Sequence, residues 1–89
     1  MELNLAVELR IMPESPEVDL NKIKEELSKI VKEYGKLHSA EEMPIAFGLK
    51  SLDVTVLLND KRGGCDEIQE AGSKIEGVSE IDVVNMTLI

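Results

Sequence analysis

Few residues of this chain could carry chemistry, and their spacing excludes most of it. Cys65 opens a segment with helical patterning. A thiol there either has a lowered pKa and becomes nucleophilic, or is a half-buried structural group. His38 is the one histidine, and no second histidine or neighbouring cysteine completes a metal site, so it reads as an exposed strand or loop residue. The 18 carboxylates offer acid–base capacity, but no pair has a spacing that places both in one pocket, and no Ser-His-Asp set can be assembled. Gly63-Gly64 is not followed by Lys-Ser or Lys-Thr, so that turn is not a phosphate-cradling loop. What remains is recognition by shape. Phe47, the one phenylalanine in 89 residues, stands between Pro44 and Gly48. Proline stiffens the backbone before it and glycine permits an unusual φ after it. A ring held in that way is either an anchor offered to a partner or a cap on the end of the core.

The elements that position these residues follow from apolar periodicity. Leu3, Leu5, Val7, Leu9 and Ile11 alternate with Glu2, Asn4, Ala6, Glu8 and Arg10, a strand with one buried and one wet face that Pro13 ends. Asp19 is the expected N-cap of a helix whose stripe runs Leu20, Ile23, Leu27, Ile30, Val31 and Tyr34, with Gly35 as its stop. Glu25 and Lys29 stand four apart on the solvated face. From Lys36 to Met43 the pattern is irregular and reads as a second strand leading through Pro44 into the Phe47 corner. Leu52, Val54, Val56 and Leu58 alternate with Asp53, Thr55 and Leu57 as a central strand. Asn59 to Gly64 is a turn, and a second helix is expected from about Cys65 to Glu76, ended by Gly77. Its face is Ile68, Ala71, Gly72 and Ile75, with Gly72 expected at a close helix contact. Val78 to Ile89 is a last strand whose parity changes after Val83, which a bulge near Val83-Val84 reconciles.

Strand, helix, strand, strand, helix, strand is the βαββαβ order. With right-handed crossovers it gives an α+β ferredoxin-like sandwich: a four-stranded antiparallel sheet with two helices on one face, in which strands one and three are central. The length fits one domain over residues 1–89.

Composition narrows the function classes. The formal charge of −8 disfavours nucleic acid and anionic membranes and favours basic partners. RNA readers of this topology stack bases on rings projecting from the two central strands. Here those faces offer Asn4, Ala6, Glu8, Arg10, Asp53, Thr55 and Leu57, so direct RNA binding is set aside. No apolar run reaches the ~20 residues of a membrane span, and no signal peptide is visible, so a cytoplasmic location is expected. Nothing in the sequence requires a cofactor. A small-molecule regulatory domain remains an alternative on fold grounds, with no ligand nominated.

Three blocks carry a resemblance: Met12-Pro13-Glu14-Ser15-Pro16, Pro44-Ile45-Ala46-Phe47-Gly48-Leu49-Lys50-Ser51-Leu52, and the Gly63-Gly64 turn. Together they resemble the exchange domain of the translation elongation factor 1-beta family in its compact archaeal form. The resemblance implies a non-enzymatic guanine-nucleotide exchange factor acting on elongation factor 1-alpha, the GTPase that delivers aminoacyl-tRNA. It implies that Phe47, framed by Pro44, Ala46 and Gly48, docks in a pocket of the GTPase away from the nucleotide. It also draws attention to Thr87, Leu88 and Ile89. Eukaryotic members carry a lysine one residue from the end that intrudes on the Mg²⁺ site, and Leu88 stands there in this chain. Either Thr87-Leu88-Ile89 wedges apolar surface against the switch region, or another cation among Lys50, Lys61 and Arg62 contributes.

Overall fold

A computed structural model describes residues 3–46, 48–59, 61 and 63–89. The elements are β1 (Leu5–Pro13), α1 (Leu20–Val31), β2 (Gly35–Pro44), β3 (Lys50–Leu58), α2 (Cys65–Ser73) and β4 (Val78–Leu88). Both strands with clean alternation are central, because the sheet order is β2-β3-β1-β4. All three pairings are antiparallel. This is the expected ferredoxin-like sandwich.

The core forms where the buried parity of the sheet meets the helix stripes. Val7, Leu9, Ile11, Leu52, Val54, Val56 and Leu58 are buried beneath Leu20, Ile23, Leu27, Val31 and Ile68. The opposite sheet face holds Ala6, Glu8 and Arg10 of β1 across from Leu57, Thr55 and Asp53 of β3. Arg10 Nε lies 3.3 Å from Asp53 Oδ1, and the Ser51 hydroxyl donates to the same oxygen at 3.1 Å. Tyr34, the one Phe, Tyr or Trp among the described residues, packs against the core instead of this face.

Several boundaries differ from the pattern. Pro13 is the last residue of β1, not a residue beyond it; it pairs with Val78 after a register shift at Met12/Pro13, where a missing N–H costs no ladder bond. Asp19 caps α1 as expected, its Oδ1 accepting from the Asn21 N–H at 2.9 Å. That helix ends at Val31, with Lys32 as C-cap, so Gly35 is not its stop. Gly35 instead begins β2, where a Cβ would collide with the Leu57 carbonyl oxygen. Lys29 pairs with Glu26 at 3.5 Å, three residues away, and not with Glu25. Helix α2 stops at Ser73, short of Glu76, with Lys74 as C-cap. A Cβ on Gly72 would stand 3.0 Å from Ile81 Cδ1 and 3.5 Å from Leu27 Cδ1, the close contact its position suggested. The irregularity of β2 is a register shift between Leu37 and Ser39, which lets Leu37 and Ala40, three apart, both face the core. The bulge expected in β4 is present: Asn85 pairs with Glu8 and Val83 with Leu9, leaving Val84 as the extra residue.

Candidate functional site

The register divides the nominated residues between the two ends of the sheet. At one end, Pro44 pairs with Lys50 and the chain reverses between them. The Ile45 N–H donates to the Leu49 carbonyl at 2.9 Å, and the Leu49 N–H to the Ala46 carbonyl at 2.9 Å. The third position of that turn needs a positive φ, and Gly48 supplies +80° with open space around its Cα. Pro44, Ala46 and Gly48 are exposed. Phe47 lies outside the described residues. Met43 and Ile45, which the sequence did not nominate, are 44% and 48% exposed beside them.

The same end gathers a second block from elsewhere in the chain. A groove of about 340 Å³ is lined by Pro13, Ser15 and Pro16 together with Gly48 and Lys50. The Met12–Pro16 and Pro44–Leu52 blocks, distant in sequence, thus share one surface. Helix α1 begins there, and Asp19 and Leu20 also border the groove.

Thr87, Leu88 and Ile89 lie at the other end. Thr87 pairs with Ala6 and Leu88 with Leu5, which in turn pairs with Leu58. The Ile89 N–H donates to the Asn4 carbonyl at 2.8 Å, so the chain remains in the ladder through its last residue. Leu88 is 65% and Ile89 69% exposed. The cause is a mismatch of lengths. The nine residues of α2 cover ~13 Å, whereas the eleven of β4 extend ~33 Å. Met86 is left 49% exposed for the same reason, and nothing in its sequence neighbourhood announces it. Measured along β3 from Lys50 to Leu58, the two ends are ~26 Å apart.

Of the cations weighed for the metal step, Lys50 belongs to the hairpin end and Lys61 to the Thr87–Ile89 end. Lys61 lies in the turn after β3, its N–H donating to Asn59 Oδ1 at 3.0 Å, and Gly63 N–H closes that turn on the Asn59 carbonyl at 2.9 Å. Arg62 lies outside the described residues. His38 is exposed at the β2 register shift. The Cys65 thiol is pushed up from its ordinary pKa, first by burial and then by the negative charges of Asp66 and Glu67. That direction is opposite to the lowered pKa considered for it and agrees with a half-buried structural thiol. Among the described residues no group of three or more His, Cys, Asp or Glu is placed to hold a metal ion. No helix among them is long and apolar enough to cross a membrane.

The class that the geometry defines is an α+β ferredoxin-like sandwich with exposed apolar side chains at both ends of its sheet. Residues 6–89 match the model of the EF-1 guanine nucleotide exchange domain, and the chain belongs to that family. It is similar to Elongation factor 1-beta of Methanothermobacter thermautotrophicus, 45% identical over 78 residues covering 88% of each chain. The protein of that name from Methanoculleus marisnigri is 42% identical over 86 residues, 97% of this chain and 98% of its own. That from Metallosphaera sedula is 45% identical over 85 residues, 94% and 93% respectively. Membership places the chain among the guanine-nucleotide exchange factors of translation elongation.

Proposed function

We propose that this protein promotes exchange of GDP for GTP on elongation factor 1-alpha, in the cytoplasm, by binding alone. The observation that carries this reading is the family match across residues 6–89. An exchange factor needs no reactive group. It must bind the GTPase better when nucleotide and Mg²⁺ are loosely held, and that difference in affinity is the whole of its action. Linkage makes the effect reciprocal, so bound nucleotide weakens the factor's own hold by the same factor.

The two-ended placement suits such a task. In this reading the hairpin end, with Pro44, Ala46, Phe47 and Gly48, holds a part of the GTPase away from the nucleotide. The other end, with Thr87, Leu88 and Ile89, reaches the region that binds nucleotide and metal. An apolar wedge from Leu88 and Ile89 displaces the switch region there. Of the cations Lys50, Lys61 and Arg62, Lys61 is the described one on the same end, whereas Lys50 is too distant to act with the wedge.

The test is release of fluorescent GDP from purified elongation factor 1-alpha in excess unlabelled nucleotide. Release should accelerate with the concentration of this protein. Phe47→Ala should keep the fold and weaken GTPase binding by ~2 kcal/mol or more, as loss of an anchor does. Deleting Leu88 and Ile89 should spare folding and suppress acceleration. No acceleration with an active, matched GTPase would refute the proposal, and an unchanged rate after the deletion would remove the wedge.

A further inference from the structure

The outer edge of β4 divides into a protected half and an open half. β4 is an end strand of the sheet, so one side of its backbone has no neighbouring strand among the described residues. Exposed edges invite pairing with other chains, and proteins commonly block them with charges, prolines and bulges. The opposite edge strand, β2, carries Lys36, Glu41, Glu42 and Pro44 and a register shift. The first half of β4 has Glu80, Asp82 and the bulge at Val84. From Asn85 to Ile89 there is no charged side chain, no proline and no further shift.

The direction of the backbone groups in this stretch follows from one bond. The Ile89 N–H points inward to the Asn4 carbonyl, and Leu88 pairs with Leu5. In an antiparallel ladder, successive residues turn their N–H and C=O groups to opposite sides. Leu88 and Met86 therefore turn theirs outward, while Thr87 and Asn85 turn theirs toward β1. The residues with outward backbone are also those whose apolar side chains are exposed, Met86 at 49% and Leu88 at 65%. Backbone donors, backbone acceptors and apolar contacts thus coincide on one short edge.

We infer that this edge takes a fifth strand from the GTPase: an extended segment, uncharged where it crosses Met86 and Leu88, that adds beside β4. Strand addition of this kind obtains affinity from the main chain and selectivity from alternate side chains. The inference rests on the proposed function and names how its Thr87–Ile89 end engages the partner. Continuity decides the occupant, because the open edge ends in the residues assigned to the GTPase. A second copy is disfavoured, since two chains each of charge −8 would meet along only a few residues.

Proline provides the test, because at an outward position it removes a donor without breaking the bond to β1. Leu88→Pro should bind the GTPase at least about tenfold more weakly than Leu88→Ala, which keeps the N–H but loses the side chain. Equal affinities for the two variants would overturn the inference. Amide exchange on the unmodified protein gives an answer that does not depend on the variants folding. The Met86 and Leu88 amides should exchange at least about tenfold more slowly in the complex than in the free protein. If the protein binds the GTPase and neither amide slows, strand addition falls while the exchange function stands. If it neither binds the GTPase nor accelerates nucleotide release, both fall. Slowed exchange that depends on protein concentration alone, with a doubling of mass, would assign the edge to a second copy and overturn the GTPase assignment.

Discussion

A thiol at the first position of a helix is ordinarily acidified by the backbone N–H groups and the helix dipole. Cys65 has that position, yet burial and the adjacent Asp66 and Glu67 raise its pKa. The consequence is a slow nucleophile. At mildly alkaline pH, iodoacetamide should alkylate the folded protein more slowly than the urea-unfolded chain, and the inflection of rate against pH should lie higher when folded. The sign follows directly, since a raised pKa leaves less thiolate at any given pH. Asp66→Asn and Glu67→Gln should each move the inflection part of the way down, with burial accounting for what remains. A lower inflection and a faster rate in the folded protein would show that the helix start governs this thiol.

Two glycines behave oppositely within their elements. At Gly72 an added methyl meets the tip of Ile81, a group able to move by a few tenths of an ångström, in a helix where alanine gains up to ~1 kcal/mol. Gly72→Ala should therefore change stability by no more than ~1 kcal/mol in urea melts. At Gly35 the methyl meets the fixed Leu57 carbonyl, so Gly35→Ala should cost ~2 kcal/mol or more. The same contrast explains what the sequence could tell. Alternation in β1 and β3 and the parity change near Val84 are properties of single strands, and they located the central strands and the bulge. Helix ends were less legible, because periodicity reports burial and not hydrogen bonding: Tyr34 continues the apolar stripe after α1 has ended and still packs on the core. Gly35 reads as a helix stop in the sequence, whereas the carbonyl it accommodates belongs to a strand over twenty residues away. In the candidate site, Pro44 and Gly48 marked an exposed turn by their own backbone chemistry. Met86 carries no such mark in the sequence, since its exposure depends on how far α2 extends along β4, a relation between two elements.

At the scale of the molecule, the proposed function requires the GTPase to be held at two places separated by the length of the sheet. The hairpin end and the Thr87–Ile89 end are ~26 Å apart along β3. Sites more than ~10 Å apart with no shared partner residues add in free energy within ~0.5 kcal/mol. Ile45 and Leu88 are suitable probes, both apolar and largely exposed, so truncating either leaves the core intact. Ile45→Ala and Leu88→Ala should each weaken GTPase binding by ~1–2 kcal/mol if the partner covers them. The double variant should then lose the sum, measured by titration calorimetry in nucleotide-free buffer. Exchange rates should divide differently. A loss at the hairpin end lowers the occupancy of the complex, and saturating factor restores the rate. A loss at the Leu88 end lowers the rate that saturation reaches, because it removes part of the difference in affinity that loosens the nucleotide. A coupling above ~1 kcal/mol between the two sites would show that the GTPase, or the sheet between them, transmits one contact to the other.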